Sequence, residues 1–228
     1  MSYILKTQKP EVIIKFMIRI ALTKGRLEEE TVKLLSKADY DAGELLEKSR
    51  KLLFNIKNAE IEIVLAKAAD VITYVEHGVC DIGIVGKDTI LERSSSKEYG
   101  KSFYEVLDLN FGKCRFALAG LKNKNFYEGY SQKIIATKYP NVAKRYFNNK
   151  NVDVEIVKID GSVELAPILG LADAIVDIVE TGTTLKENGL AVYEEIAQIS
   201  ARVIVNKASI KLKKNEVDEF IGRIGKLC

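Results

Sequence analysis

The chain of 228 residues has few of the side chains on which metal sites and nucleophilic catalysis usually depend. It contains one histidine, His77, three cysteines and no tryptophan. Cys80, Cys114 and Cys228 lie far apart and form no CxxC pair, so neither a disulfide framework nor a zinc site is expected. A single histidine gives little material for a histidine-based triad. The cysteine usage favours a reduced, cytoplasmic compartment.

The sequence also lacks long apolar runs and a clear excess of one charge. No apolar run approaches the ~20 residues of a membrane-spanning helix. The N-terminal segment MSYILKTQKPEVIIKF lacks the pattern of a secretory signal. With 35 basic and 32 acidic residues the net charge is +3, which argues against a nucleic-acid or membrane partner.

Strand-like runs alternate with helical patterns along the rest of the chain, which predicts a parallel α/β architecture. A helix is predicted within GRLEEETVKLLSKAD (25–39), and a closing amphipathic helix in KLKKNEVDEFIGRIGKLC (211–228). The predicted strands are MIRIAL (17–22), IEIVLA (61–66), DIGIVG (81–86), CRFALAG (114–120), KIIAT (133–137), VDVEIVKI (152–159), AIVDIV (174–179) and ARVIVN (201–206).

A weak internal repeat indicates two similar lobes. EIVLAKAADVITYVEHGVCDIGIVG and EIVKIDGSVELAPILGLADAIVDIV share the order strand, helix, glycine, aspartate, strand. Asp70 and Ser162 are predicted N-caps, each eight residues before a glycine that could end its helix, Gly78 or Gly170. Chance similarity between βαβ units is the alternative. The repeat predicts two α/β lobes that face each other across a cleft, as in periplasmic-binding-protein-like folds.

The stretch DIVETGTTLKENGL (177–190) places small residues between a strand and a helix. Thr181, Gly182, Thr183 and Thr184 could present backbone N–H groups and hydroxyls to a phosphate at the helix start. Read alone, the motif predicts a capping turn equally well. The acidic Asp177 and Glu180 shift the balance towards a ligand site, because a carboxylate beside a phosphate suits a ribose hydroxyl pair or a hydrated Mg²⁺.

LTKGRL (22–27) repeats this design at the first strand–helix junction. Lys24 and Arg26 flank Gly25, where a phosphate could meet both cations and free N–H groups. A solvated basic turn is the alternative reading, and Arg50 in EKSRKLLF could equally be a surface charge. In DIGIVGKD, Gly86 and Asp88 end a strand at which a flat ring or phosphate could approach, although a plain strand end is equally consistent with the pattern.

Together these segments resemble the ATP phosphoribosyltransferase family from Met17 to about Ser209. The resemblance rests on IALTKGRLEEET, SRKLLF, DVITYVEHGVCDIGIVGKD, DLNFGKCRFALA, YPNVAKRYF, GSVELAPILGLADAIVDIVETGTTLKENGL and ISARVIVNKAS in this order. It implies the two-lobed, type II periplasmic-binding-protein-like α/β fold. Lobe I is expected to comprise residues 17–108 and 192–228, and lobe II residues 109–191. Residues 1–16 precede the usual start of the family and are interpreted as an N-terminal extension, either an added strand or helix or the product of a start codon assigned too early.

The resemblance further implies that the phosphoribosyl group of phosphoribosyl pyrophosphate is transferred to N1 of ATP with Mg²⁺, in the first step of histidine biosynthesis. Arg26, Arg50 and Lys24 are the implied catalytic cations. The implied phosphoribosyl pyrophosphate site comprises Asp177, Glu180, Thr181, Gly182, Thr183 and Thr184. The implied ATP contacts are Gly25, Lys67, Asp70, Gly86 and Asp88, and no residues are assigned to the metal.

The expected size matches the short form of the family, since about 20 residues after the last strand cannot build the histidine-binding domain of the long form. The short form implies a homodimer within a hetero-oligomer that contains a regulatory subunit similar to histidyl-tRNA synthetase. Two departures bear on the site. Lys67 stands where the family usually has arginine, and Thr183 stands where arginine, lysine or alanine is frequent.

Two other functions remain compatible with parts of the sequence. Type I phosphoribosyltransferases, which act on a free base, also place an aspartate four residues before a TG-x-T turn. A solute-binding protein of the same fold is the non-enzymatic alternative, although it would normally carry an export signal. LTKGRL and HGVCDIGIVGKD favour the ATP-using enzyme over both.

Overall fold

A computed structural model describes residues 17–47, 50–94, 102–129 and 131–228, and the predicted N-terminal extension lies outside this part of the chain. The described residues form eleven strands and eight α-helices, with a 3₁₀ turn at Gly43–Leu46. The strands are β1 (Ile18–Thr23), β2 (Leu53–Ile56), β3 (Ile61–Ala66), β4 (Ile82–Gly86), β5 (Phe103–Asp108), β6 (Cys114–Leu121), β7 (Lys133–Thr137), β8 (Val154–Lys158), β9 (Ala174–Val179), β10 (Leu190–Ile199) and β11 (Ala201–Asn206).

The strands form two sheets, and helices pack against each of them. The helices are α1 (Arg26–Lys37), α2 (Ala68–Glu76), α3 (Lys87–Arg93), α4 (Pro140–Asn149), α5 (Leu165–Ile168), α6 (Thr183–Glu187), α7 (Lys207–Leu212) and α8 (Lys214–Gly225). Within the described ranges, no helix has both the length and the apolar character needed to cross a membrane.

The first sheet has six strands in the order β2-β3-β1-β4-β11-β5, and the second has five in the order β10-β6-β9-β7-β8. In the first, β1 pairs in parallel with β3 and β4, and β11 continues the sheet antiparallel to β4. In the second, β7 pairs in parallel with β8 and β9, and β6 continues it antiparallel to β9. The two sheets therefore share one topology over four strands.

The predicted repeat corresponds to this shared topology. Asp81 and Asp173 immediately precede β4 and β9, and each contacts the neighbouring parallel strand in the same way. The Asp81 carboxylate accepts a hydrogen bond from the Arg19 amide at 2.8 Å, and the Asp173 carboxylate accepts one from the Ile134 amide at 2.9 Å. Gly78 and Gly170 end their helices with positive φ angles of 68° and 74°, as predicted.

Three sequence-based expectations are wrong in detail. Asp70 and Ser162 do not cap their helices, because α2 and α5 begin after Lys67 and Glu164 without a side-chain cap. The sheets are mixed rather than parallel, since β2, β5, β6, β10 and β11 run antiparallel to a neighbour. Residues 192–199, assigned to lobe I, belong to β10, which pairs with β6 in the second sheet up to Ile199.

Each sheet has hydrophobic clusters of its own. Ile20, Leu22 and Ile84 contribute to the large cluster of the first sheet, which also receives α1 and α8. Phe116, Ile135 and Phe147 contribute to the cluster between the second sheet and α4. The chain passes from the first sheet to the second after β5 and returns at Ser200. These two passages leave the carboxyl ends of both sets of parallel strands available to form a site.

Candidate active site

The carboxyl ends of the parallel strands of both sheets contribute to one cleft. Arg26 follows β1 in the first sheet, and its guanidinium forms an ion pair with the carboxylate of Glu180, which follows β9 in the second. Both side chains are about half exposed, at 53% and 54%. Ligands of open α/β sheets gather at such strand ends. The structure thus brings two separately predicted motifs together, although they are 154 residues apart in sequence.

A cavity of about 340 Å³ lies at this junction. It is lined by Arg26, Cys114, Glu164 and the continuous segment from Asp177 to Leu185. All six residues predicted for phosphoribosyl pyrophosphate belong to that segment. Of the predicted cations, Arg26 alone is among the lining residues, whereas Lys24 and Arg50 are exposed outside them.

The TGTT turn has the backbone shape that a close anion contact requires. Gly182 has φ 79°, a left-handed conformation that side chains other than glycine rarely adopt. The hydroxyls of Thr181 and Thr183 are 2.9 Å apart, and the Thr183 amide donates to Thr181 Oγ1 at 3.3 Å. Helix α6 has only five residues, so its dipole is small. Local N–H groups and hydroxyls must therefore provide most of any anion binding.

Asp177 is a half-buried acidic residue of the cavity wall. Burial raises the pKa of Asp177 to about 6, and the nearby carboxylate of Glu164 adds to the effect, while the Ile178 amide and Lys138 oppose it. A carboxylate with this pKa is ionised at neutral pH, so it can accept hydrogen bonds from vicinal hydroxyls. Perturbed carboxyl groups in clefts are typical of functional sites.

The LTKGRL turn differs from the prediction in one respect. Gly25 adopts φ 94° and ψ −139°, a region accessible to glycine but not to other residues. Its amide is not free, however, because Glu28 Oε2 accepts from it at 3.1 Å. The Lys24 amide donates to the Ala66 carbonyl at 3.0 Å. The turn can therefore offer the Arg26 and Lys24 side chains to a ligand, but not these two backbone donors.

The residues predicted to contact ATP follow the parallel strands of the first sheet. Lys67 precedes α2 and Asp70 lies in its first turn, and both side chains are exposed. Gly86 ends β4, and a Cβ atom there would lie 2.1 Å from the Asp88 carboxylate, which folds back over it. Lys67, Gly86 and Asp88 thus lie after β3 and β4 at the edge that also carries Gly25, outside the cavity around the TGTT turn.

Tyr139 is a site residue that the sequence analysis did not identify. It joins β7 to α4, and its ring packs edge-on against Phe116 with centroids 4.9 Å apart. Burial and the neighbouring carboxylates of Asp88 and Asp177 raise the pKa of Tyr139 above its usual range, so it remains a neutral hydrogen-bonding group. The signal available in the sequence was its position at a strand–helix junction. In the shared sheet topology, this junction after β7 is equivalent to LTKGRL after β1.

Cys114 is partly exposed and lines the cavity. Its thiol lies near Arg26, Asp88 and Glu180, and burial raises its pKa above the usual value. A thiol with a raised pKa is protonated at neutral pH and is a poor nucleophile. The cavity therefore supplies positive charge, hydroxyls, N–H groups and one perturbed carboxylate, which is suited to binding and orienting a phosphorylated sugar.

Comparisons with known proteins identify the family of this chain. The family model HisG: ATP phosphoribosyltransferase matches residues 67–226. An ATP phosphoribosyltransferase of Clostridium kluyveri is 63% identical over 207 residues, which are 91% of this chain and 92% of the relative. One from Clostridium acetobutylicum is 58% identical over 207 residues, covering 91% and 94% of the two chains.

Solved structures give the same result for the fold. The ATP phosphoribosyl transferase (HisG:HisZ) complex from Thermotoga maritima contains a chain that is 39% identical, with a TM-score of 0.76, covering 92% of this chain and 98% of that one. The periplasmic aliphatic sulphonate binding protein SsuA from Escherichia coli has a TM-score of 0.57 at 14% identity, covering 91% and 67%. This second likeness concerns the fold alone and confirms the periplasmic-binding-protein-like architecture. On the family match and the close relatives, the chain belongs to the ATP phosphoribosyltransferase family.

Proposed function

We propose that the chain transfers the 5-phosphoribosyl group of phosphoribosyl pyrophosphate to N1 of ATP and releases pyrophosphate, which is the first step of histidine biosynthesis. The observation that carries the proposal is the contact of Arg26 with Glu180 beside the TGTT turn. This contact puts a cation of one sheet next to the TGTT turn of the other, residues 181–184, which we call the phosphate cradle. A substrate with a phosphate at one end and a pyrophosphate at the other could interact with both.

The second sheet would hold the phosphoribosyl group. Thr181, Gly182, Thr183 and Thr184 would bind the 5-phosphate through hydroxyls and backbone N–H groups, since they form a turn that lines the cavity. Asp177, ionised above pH 6, would accept hydrogen bonds from the ribose hydroxyls. These contacts would fix the ribose C1 in one orientation, and such positioning accounts for much of the rate gain in a transfer between two substrates.

The first sheet would stabilise the leaving group. In the structure Arg26 is paired with Glu180 through exposed side chains, and an exposed ion pair of this kind contributes little stability. A pyrophosphate carries more negative charge than a carboxylate, so it can take Arg26 from Glu180 on binding. Lys24 and Arg50 would add positive charge as pyrophosphate departs. N1 of the adenine attacks C1, so no protein nucleophile is needed.

The donor set is compatible with Mg²⁺ that enters with the substrate. Among the residues that the structure describes, no group of three or more His, Cys, Asp or Glu side chains could hold a metal by itself. Mg²⁺ commonly binds through one or two carboxylates together with substrate phosphates, and Asp177 and Glu180 both line the cavity. When bound, the ion would neutralise charge on the pyrophosphate.

We further propose that the chain works in the cytoplasm as the short form of the family, as a homodimer within a hetero-oligomer. The solved relative from Thermotoga maritima is a HisG:HisZ complex, which supports a separate regulatory subunit similar to histidyl-tRNA synthetase. Histidine alone should then inhibit the purified chain weakly or not at all. Strong inhibition of the purified chain by histidine would contradict the assignment of regulation to a second subunit.

The activity is tested by the near-ultraviolet absorbance change that accompanies formation of phosphoribosyl-ATP. Purified chain is incubated with ATP, phosphoribosyl pyrophosphate and Mg²⁺, with and without the regulatory subunit. We expect an absorbance increase that requires both substrates. No increase in either condition, with a chain shown to be folded, would refute the proposed function.

A further inference from the structure

Helices α3 and α4 form the most extensive polar contact between the two sheets in the described residues. Helix α3 follows β4 of the first sheet, and α4 follows β7 of the second. Along α3, Ile90 packs in a cluster of the first sheet, whereas Leu91 packs against the cluster of the second. Helix α3 is therefore anchored in both hydrophobic cores, and it cannot leave one of them without exposing apolar surface.

The start of α4 has no cap of its own. Its N-cap residue, Tyr139, provides no side-chain hydrogen bond, and Pro140 at the first position has no N–H. The next two amides, those of Asn141 and Val142, both donate to the carboxylate of Glu92 in α3, at 3.1 to 3.2 Å. A side chain of the first sheet's helix thus supplies the missing cap of the second sheet's helix.

The contact is reciprocal. Arg145 of α4 donates to the Leu91 carbonyl at 2.5 Å and to Ser94 Oγ at 2.7 Å, both at the end of α3. The Asn141 side-chain amide donates to the Glu92 carbonyl at 3.1 Å. An acidic residue in the last turn of α3 is locally unfavourable, because it lies at the negative end of the helix dipole. That position is explained if the role of Glu92 is to bind α4.

The same face of α3 reaches the active site. Asp88 and Glu92 are four residues apart in the helix and share a face. Glu92 binds the first amides of α4, and Asp88 lies near Tyr139, the residue that immediately precedes α4. The position of Asp88 relative to Tyr139 is therefore determined one helical turn away, by the contact of Glu92 and Arg145 with the opposite helix.

We infer that Glu92 and Arg145 are positioning residues, which lock α3 onto α4 and so align the two walls of the active-site cleft for transfer. The exposed ion pair of Arg26 with Glu180 can open and close as substrates bind, while the α3–α4 contact stays fixed. This inference rests on the proposed function for its kinetic consequence. Its structural part, a cap donated from one sheet's helix to the other's, can be tested without any activity.

The test compares Glu92→Ala, Glu92→Gln and Arg145→Ala with Arg93→Ala. Arg93 is on the same helix but pairs with Glu76 of α2 at 2.7 Å, within the first sheet's own helices. Its replacement therefore removes an ion pair of α3 that does not reach the second sheet. Glu92→Gln keeps an acceptor oxygen without the charge, and it provides a folded variant if Glu92→Ala fails to fold.

Hydrogen exchange at the amides of Asn141 and Val142 reports on the cap itself. Loss of a helix cap should accelerate exchange at these two amides roughly fivefold in Glu92→Ala, less in Glu92→Gln and not in Arg93→Ala. Unchanged exchange in Glu92→Ala would show that the contact does not form in solution, and the inference would be wrong whatever the enzyme's activity.

Kinetics separate positioning from a purely structural cap. The phosphate cradle lies wholly in the second sheet, so the Kd for ribose 5-phosphate, which lacks the pyrophosphate that would reach the first sheet's cations, should change by less than about twofold. Misalignment should lower kcat by about tenfold or more in Glu92→Ala and Arg145→Ala. Arg93→Ala should retain the wild-type kcat. Faster exchange with an unchanged kcat would show that Glu92 only caps α4 and does not align the cleft, and this result would overturn the inference. A wild-type chain that is inactive both with and without the regulatory subunit would instead refute the proposed function, and the exchange result would still stand.

Discussion

The carboxyl edges of the two sheets have the same topology but carry different chemistry. In the first sheet, β1 is followed by the long helix α1, and the turn presents the side chains of Lys24 and Arg26, while the amides of Lys24 and Gly25 are already bonded. In the second sheet, β9 is followed by the five-residue helix α6, and the turn presents hydroxyls, N–H groups and the carboxylates of Asp177 and Glu180. One edge thus supplies cations and the other supplies a cradle, so a substrate that needs both must bridge the sheets.

The largest expected effect is a loss of affinity for phosphoribosyl pyrophosphate when the phosphate cradle is distorted. Gly182→Val puts a β-branched residue at φ 79°, which costs about 1–3 kcal/mol of strain or reshapes the turn. We expect the affinity for phosphoribosyl pyrophosphate, measured by calorimetry, to fall by roughly ten- to a hundredfold. Gly189→Val is the matched control, since Gly189 has φ 72° but lies outside the cavity lining. Equal losses in both variants would mean that the strain, not the site, causes the effect.

The next largest effect is expected at the carboxyl edge of the first sheet, which carries Lys24 and Arg26. Arg26→Ala should lower turnover more than tenfold, on the order of 1.4 kcal/mol or more of transition-state stabilisation. Lys33→Ala serves as the control, because Lys33 is an exposed cation of the same helix, paired with Glu30 at 2.7 Å away from the cavity lining. Steady-state kinetics would measure both variants. Normal turnover of Arg26→Ala would remove Arg26 from the catalytic residues.

The ionised Asp177 carboxylate should favour substrate binding but lower the free energy of unfolding. Its folded-state pKa of about 6 lies above the unfolded value of 3.8, so the folded protein binds this proton more tightly than the unfolded chain. The ionised carboxylate therefore destabilises the fold above pH 6, and this cost disappears below about pH 4. Asp177→Asn should raise the free energy of unfolding by on the order of 1–3 kcal/mol at pH 7.5, with little gain at pH 4, while the affinity for phosphoribosyl pyrophosphate falls severalfold. A lower melting temperature at pH 7.5 would contradict this reading.

The pH dependence of the reaction should reflect the same group. The kcat/KM for phosphoribosyl pyrophosphate should fall below pH about 6, because protonated Asp177 loses acceptor capacity for the ribose hydroxyls. The substrate phosphate also titrates near pH 6, so the wild-type profile must be compared with that of Asp177→Asn. The acid limb should be shallower in the variant. Identical acid limbs in the two proteins would assign the inflection to the substrate alone.

The smallest expected effect concerns Lys67, which stands where the family usually has arginine. Lys67 precedes α2 and is exposed, and lysine lacks the two-pronged geometry of arginine. Lys67→Arg should lower the KM for ATP by about twofold, with kcat unchanged, if this position contacts the nucleotide. A change in the KM for phosphoribosyl pyrophosphate instead would place Lys67 beside the pyrophosphate and not beside the nucleotide.

The regular elements of the core were predictable because apolar periodicity is local. The strands over 61–66, 133–137, 174–179 and 201–206 coincide with β3, β7, β9 and β11. Strands β2, β5 and β10 were missed, and each of them lies at the edge of a sheet. An edge strand pairs on one side only and carries many exposed polar residues, so its sequence lacks the continuous apolar run of a central strand. The assignment of residues 192–199 to lobe I failed for this reason.

The sequence by itself determined the family, the two βαβ repeats and the two turns that carry the chemistry, because glycine, threonine and basic residues between a strand and a helix have local conformational causes. Only the tertiary structure decided that Arg26 meets Glu180, that Tyr139 lies near Asp88, and that Glu92 caps a helix of the other sheet. These contacts join residues 49 to 154 positions apart. They depend on how two separately packed sheets are placed against each other, and no local pattern encodes that placement.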